Sequence, residues 1–341
     1  MIWKLLQAIY DSRIPFPAEP RLFDAALDDI EHFHIAPQLY QLLKQQGKLA
    51  STPLSFQNRL KTKFDETLAL NVYIQYENER IFKAFDAAGI TVIPMKGVTF
   101  ATKYFGHLGA RGTSDIDLLV QPTDLGRAEA CIRSLGFACE ARHIRAHFHR
   151  GFSKPLTGSL PPLTVELHWG LLMDGTSNFS VETLWQDAVP LAPYSKVMEL
   201  SDYHTFYMIC LHGWKHALNS LKYLIDIVQL LHVCSDRIDY DRLLRDAASH
   251  QTYKRISSTL SIIYRQFPFL ERLKPLPLPH RRGEWWSYDA IRRKQKRSFM
   301  QYVRFLQYQW FEFDVSRHRF AAFIHYFEPL LMNRRGVKND A

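Results

Sequence analysis

Apolar residues recur at helical spacing in the first quarter of the chain. Between Leu54 and Ala88 there is neither proline nor glycine, and Leu60, Phe64, Leu68, Tyr73, Tyr76 and Ile81 follow the period of one helix face. Gly89, tolerant of left-handed dihedrals, ends that helix. Ile90-Thr91-Val92-Ile93 is a β-branched run, and after Pro94-Met95-Lys96-Gly97 the pattern predicts a short helix through Phe105. A glycine-bearing loop from Gly106 to Ser114 leads into Asp115-Ile116-Asp117-Leu118-Leu119-Val120, which alternates and then turns apolar, as a strand at the edge of a core does. Pro122 and Asp124 open a helix that runs to Leu135 and stops at Gly136. Phe137 to Ala141 and Leu163 to Leu171 read as further strands, the second fenced off by Pro161-Pro162. The helical period returns over Tyr203–Ala217, Leu221–Val233, Tyr240–Ala248 and Ser257–Phe267, with Ser201 or Asp202 as the first cap.

These elements divide the chain into an N-terminal helical region (1–88), an α/β core (89–198), a helical bundle (199–273) and, beyond the proline joint Lys274–His280, a tail (281–341). The fold class is α+β, a small mixed β-sheet flanked by N-terminal helices and a C-terminal helical bundle. At 341 residues, 47% hydrophobic and 23% charged, the chain can bury a sizeable core without disulfide staples. Cys131, Cys139, Cys210 and Cys234 lie far apart with no C-x-x-C pair, which argues against a disulfide scaffold or a cysteine-rich zinc site and fits free thiols in a reducing compartment. No apolar run approaches the roughly 18 residues of a membrane span. The amino end carries Lys4 and lacks a small-residue cleavage site, so a cytoplasmic protein is expected. The net charge of +9 favours anionic partners. Between Arg281 and Gly336, twelve Lys or Arg stand against five Asp or Glu, so this stretch carries +7 of the +9.

The sharpest chemical feature is the pair Asp115 and Asp117. On a strand both side chains share one face, with Ile116 and Leu118 on the other. Two carboxylates one repeat apart suit hard divalent cations, and a bound cation relieves the repulsion that an empty pair suffers. The bland alternative is the solvated face of an edge strand. The surroundings favour chemistry. Lys96-Gly97 stands at the start of a helix, where an anion is welcome and a glycine permits close approach. Arg111, four residues before Asp115, offers a planar fork for phosphate. In Val165-Glu166-Leu167-His168-Trp169, Glu166 and His168 share a face, so Glu166 is a third carboxylate, as metal ligand or general base.

The order Lys96-Gly97, Arg111, Asp115-Ile116-Asp117-Leu118-Leu119-Val120 and Glu166-Leu167-His168-Trp169 resembles the uncharacterised nucleotidyltransferase family of the DNA polymerase β-like nucleotidyltransferase superfamily. His212-Gly213-Trp214-Lys215-His216 and Leu221-Lys222-Tyr223-Leu224-Ile225-Asp226 resemble its downstream signature, so the likeness spans roughly residues 60–235. The resemblance implies a small mixed-sheet nucleotidyltransferase core in which Asp115, Asp117 and Glu166 hold two Mg²⁺ ions. It further implies a nucleoside triphosphate, ATP favoured, attacked at its α-phosphorus by a hydroxyl acceptor with loss of pyrophosphate. The wider superfamily grips phosphates with a Gly-Ser pair just before the aspartates. Here the counterparts are Lys96-Gly97, well upstream, and Gly112-Thr113-Ser114, directly adjacent, so Thr113 and Ser114 join Lys96, Gly97, Arg111 and His168 as nucleotide-binding candidates. A catalytically inactive scaffold that binds nucleotide, RNA or membrane is the alternative.

His212 and His216 sit four apart on a predicted helix, but Gly213-Trp214-Lys215 lacks the glutamate of a zinc-protease motif. Either Lys215 and His216 line the cleft opposite the aspartates and meet phosphate or acceptor, or this polar face pairs with Asp226 and nearby acids. His143, His147 and His149 read as a solvated basic loop. In the tail, Arg292, Arg293, Lys294, Lys296 and Arg297 interleave with Trp285, Trp286, Tyr302, Phe305, Trp310 and Phe311. Such a mixture suits nucleic acid or an anionic membrane surface through 281–336, or a helix whose aromatic side packs on the bundle.

Overall fold

The structure, a computed structural model, describes residues 2–140, 148–156, 161–278, 286–292, 307 and 310–325. Four helices open the chain: α1 (Ile2–Tyr10), α2 (Pro20–His32), α3 (Ala36–Gln45) and α4 (Leu54–Ala87). The buried stripe of α4 runs through Phe56, Leu60 and Phe64 and continues through Asn71, Ile74, Asn78, Ile81 and Phe85. Tyr76, expected on that stripe, is 57% exposed, because the helical period over 34 residues carries its position round to the solvent side. The first half of α4 packs into a large apolar cluster, whereas the second half packs beneath the β-sheet. Gly89 closes the helix with φ +67°.

The sheet has five strands: β1 (Val92–Pro94), β2 (Asp115–Val120), β3 (Ala138–Cys139), β4 (His149–Lys154) and β5 (Leu163–His168). Their order is β1-β2-β5-β4-β3, with β2 and β5 parallel and the other neighbours antiparallel. The helices α5 (Val98–Phe105) and α6 (Leu125–Ser134) make the connections around β2. Period-two alternation gives the sheet two unlike faces. Ile116, Leu118, Val120, Val165, Leu167 and Phe152 bury one face against the second half of α4 and against Ala128 and Ile132 of α6. Asp115, Asp117, Glu166, His168 and His149 belong to the other face.

After α7 (Glu182–Gln186) and a two-stranded ribbon pairing Val189–Pro190 with Met198–Glu199, the chain is helical: α8 (Asp202–Lys215), α9 (Leu221–Cys234), α10 (Tyr240–Ser249) and α11 (Tyr253–Gln266). Ser201 caps α8 and Ser220 caps α9, each hydroxyl accepting from a backbone N–H of the first turn. These helices and α1–α3 bury one common apolar cluster that also holds Ile93, Met95 and Leu119 from the sheet. A mixed sheet between helical layers is the expected α+β arrangement.

Three sequence expectations need adjusting. The sequence puts His149 in a basic loop, but it opens strand β4, in which Phe152 alone is buried and no apolar alternation shows. The strand from Leu163 ends at His168 rather than Leu171. The last bundle helix begins at Tyr253 rather than Ser257, its first turn being polar. Of the tail, Trp286 packs as core, with Nε1 donating to the Leu218 carbonyl at 3.0 Å. Arg292 pairs with Asp29 at 2.7 Å, and Phe311 is exposed. Trp285, Arg293, Lys294, Lys296, Arg297, Tyr302 and Phe305 lie outside the described residues, as do His143 and His147. Among the described residues, no helix is long and apolar enough to cross a membrane.

Candidate active site

Register brings the acidic residues together. In the parallel pairing of β2 with β5, Asp117 lies opposite Glu166 and Asp115 opposite Thr164. One carboxylate oxygen each from Asp115, Asp117 and Glu166 lies within 4.8 Å of the others. The backbone N–H of Met95 donates to the Asp117 carbonyl at 3.1 Å, which fixes the chain leaving β1 beside Asp117. Lys96 follows directly, and its Nζ stands 2.8 Å from Asp117 Oδ2 and 3.5 Å from Asp115 Oδ2. His168 Nε2 lies 3.1 Å from both Asp117 Oδ1 and Glu166 Oε2.

The electrostatics follow from this packing. Burial opposes charge on Asp117, but the His168 hydrogen bond and the Lys96 ammonium outweigh it and hold the carboxyl well below the usual range. The His168 hydrogen bond likewise lowers Glu166, against its partial burial and the nearby Asp117. Burial opposes the charged forms of Lys96 and His168, yet their carboxylate partners raise both. In this state Asp117 and Glu166 are ionised, and the Lys96 ammonium and the His168 imidazolium meet their charge. A group of oxygens already neutralised by cationic side chains can exchange those partners for a divalent ion, and three carboxylates are the donor set that hard cations prefer.

These residues line a cavity of about 190 Å³ between the acidic face of the sheet and the C-terminal end of α8. Lys96, Asp115, Asp117, Glu166, His168, Lys215 and His216 all line it, with Phe148, Met95 and Met208 as apolar wall. The Lys215 ammonium lies 4.6 Å from the centre of the Phe148 ring. Burial lowers the Lys215 pKa, partly offset by Glu166. His216 stacks on Tyr223 with ring centres 5.2 Å apart, and burial together with Lys215 pushes it down to about 4. His212 is also lowered, by burial and then by the Lys96 charge, so both imidazoles are neutral at pH 7.

This assembly sets three carboxylates and several basic side chains around one cavity. Over residues 20–268 the chain matches the family described as an uncharacterised nucleotidyltransferase. The chain belongs to that family. No curated protein and no solved structure matches it.

Not every expected residue reaches the acidic cleft. The sequence offers Arg111 as a phosphate ligand, but its guanidinium is buried and paired with Asp226 of α9. Nε lies 2.9 and 3.0 Å from the two carboxylate oxygens and Nη2 lies 2.8 Å from Oδ2. Phe100 covers its face at 5.1 Å. The cause is the loop path. Asn71 of α4 donates to the carbonyls of Leu108 and Arg111 at 2.6 and 2.9 Å, which turns the Arg111 side chain toward α9. Asp226 therefore does not pair with the polar face of α8. Gly97, with φ +82°, packs its Cα against Thr113, where an added Cβ would stand 3.4 Å from the threonine methyl. Its glycine is explained by that positive φ, since an added Cβ would make only ordinary contact there. Thr113 and Ser114 line an adjoining pocket of about 320 Å³ with Pro162 and Thr164, and Asp115 and Glu166 line it too. Asp115 and Glu166 thus open on two sides.

Two residues take places that the sequence does not assign to them. His149, read as solvated loop, sits on β4 directly opposite His168, with its Nε2 3.8 Å from Glu166 Oε2. Lys222 of α9 donates to the Gly112 carbonyl at 2.7 Å beside the Arg111–Asp226 pair, and burial with the Arg111 charge pushes it down to about 7. The spacing Lys222…Asp226, one helical turn, is the sequence signal for the latter.

Proposed function

We propose that the protein transfers a nucleoside monophosphate from a nucleoside triphosphate, ATP favoured, to a hydroxyl-bearing acceptor and releases pyrophosphate. The reaction is Mg²⁺-dependent and cytoplasmic, consistent with the free thiols of Cys131, Cys139, Cys210 and Cys234. The observation that carries this reading is the convergence of Asp115, Asp117 and Glu166 within 4.8 Å, with Lys96 bridging the aspartates. Asp115, Asp117 and Glu166 are the residues to hold two Mg²⁺ ions, which when bound neutralise the phosphate oxygens and lower the pKa of an acceptor hydroxyl.

The chain's own groups do the rest. Lys96 moves from the aspartates onto a phosphate oxygen, and Lys215 on the facing wall meets the triphosphate, whose charge favours the ammonium that burial disfavours. The acceptor oxygen attacks the α-phosphorus, the bond to the β-phosphate bridging oxygen breaks, and pyrophosphate departs. Glu166 accepts the hydroxyl proton, steadied by His168. Positioning and charge supply the rate, with no covalent intermediate on the enzyme. The adjoining pocket beside Thr113 and Ser114 gives the acceptor its own approach to Asp115 and Glu166.

The test is transfer of label from α-phosphate-labelled ATP to candidate metabolites, nucleic acid and the protein itself, with Mg²⁺ and with chelator. Labelling that needs Mg²⁺ and disappears in Asp117→Asn supports the reading. Labelling that survives in Asp117→Asn overturns it.

A further inference from the structure

The antiparallel register of β4 with β5 sets His149 against His168, and the two imidazoles stack with ring centres 4.9 Å apart at 28°. Both direct Nε2 at one atom, Glu166 Oε2, at 3.8 Å from His149 and 3.1 Å from His168. The three ligand atoms lie within 4.8 Å of one another. His168 is only 6% exposed, and a fourth donor, Asp117 Oδ1, stands 3.1 Å from its Nε2. In a tetrahedral zinc site with bonds of about 2.0–2.1 Å, neighbouring ligand atoms are roughly 3.3 Å apart, so these separations need only a small inward adjustment. Two imidazoles and a carboxylate are also a different donor set from three carboxylates. Imidazole favours zinc, cobalt and related ions over magnesium.

We propose that His149, Glu166 and His168 form a binding site for a transition-metal ion of the zinc class, overlapping the carboxylate site through Glu166. An ion held there withdraws Glu166 from the acceptor side and engages the imidazole that otherwise steadies Asp117. The site therefore acts as a brake on the transferase, released when the metal is stripped. This brake rests on the proposed transferase reading, whereas the binding site itself does not.

The experiment uses the full chain, freed of metal and titrated with CoCl₂ while its visible d–d absorption is followed. An intense band is expected, bleached by stoichiometric Zn²⁺ but not by equal Mg²⁺. His149→Ala and His149→Asn, checked for an unchanged thermal melt, should each weaken Co²⁺ binding at least about tenfold, on the scale of perturbed metal sites. Asp115→Asn should keep the band while losing nucleotide transfer. The inference is overturned if no band forms, if both His149 variants bind Co²⁺ within about twofold of the parent, or if only Asp115→Asn loses it. Absent transfer with an intact cobalt site sinks the function alone, and transfer with a cobalt response indifferent to His149 sinks this site alone.

Discussion

Two cation–carboxylate pairs of this protein are built to opposite ends. Arg111 and Asp226 are both buried, joined by three short hydrogen-bond contacts and capped by Phe100. Their fork-to-fork geometry leaves little of either group unmet, and breaking one partner strands the other in a dry interior. Lys96 and Asp117 also sit close, but the ammonium is shared with Asp115, lines a cavity, and has a flexible stem. A point charge on a long stem can be traded for another cation, whereas a saturated fork cannot. The difference teaches which buried charge holds the fold and which waits for a ligand, although both were candidates for the same phosphate-binding task.

The largest expected effect separates the pairs by activity. Asp117→Asn should lower transfer by at least about 10³-fold, the scale on which single charge-stabilising groups act in phosphoryl transfer. Its thermal unfolding should still be cooperative, as read by calorimetry. Next comes stability. Arg111→Ala should cost about 3–5 kcal/mol in denaturant unfolding, because Asp226 is left charged and buried, and the double change Arg111→Met with Asp226→Leu should recover most of the loss. A cost for Arg111→Ala below about 1 kcal/mol, the range of surface pairs, would erase the contrast. Lys96→Met should cut transfer by about 10–100-fold while tightening Mn²⁺ binding severalfold, since a competing cation has gone; electron paramagnetic resonance of free Mn²⁺ reads the second effect. Weakened Mn²⁺ binding would make Lys96 a support for the metal site rather than its placeholder.

The smallest effect is on pH dependence. Burial works against the charged imidazole of His168, but Asp117 and Glu166 prevail and raise its pKa in the folded state. The stability from that charged bridge is complete below the ordinary value of 6.5 and is lost as pH rises through the raised one. Melting temperature of the metal-free protein should therefore fall as pH climbs above 6.5, and His168→Gln should flatten that slope. Equal slopes in the two proteins would detach His168 from the carboxylates.

Period and alternation made much of this legible in advance. Asp115–Val120 stands out because polar and apolar residues alternate before an apolar run, and the structure has a strand of those bounds. The helices α8 to α10 are delimited by capping serines, Asp239 and apolar stripes that local sequence carries. The direction of Arg111 is not legible in the sequence, because chain proximity to Asp115 says nothing of side-chain direction in a loop, and its partner Asp226 is 115 positions away. His149 was hidden for a related reason. Its strand has a single buried apolar residue, so only the pairing with β5 shows that it faces Glu166.

The long helix α4 has one further consequence. Its 34 residues form a rod of roughly 50 Å, with Phe64 seated in one apolar cluster and Ile74 in the other. Between them, Asn71 holds the loop that delivers the first aspartate. Each inserted or deleted residue turns everything beyond it by about 100°. The segment from Phe64 to Ile74 is thus a gauge of fixed length. It can accept exchanges at its solvent-facing letters but no change in their number, and related chains should differ there in spelling while never in count.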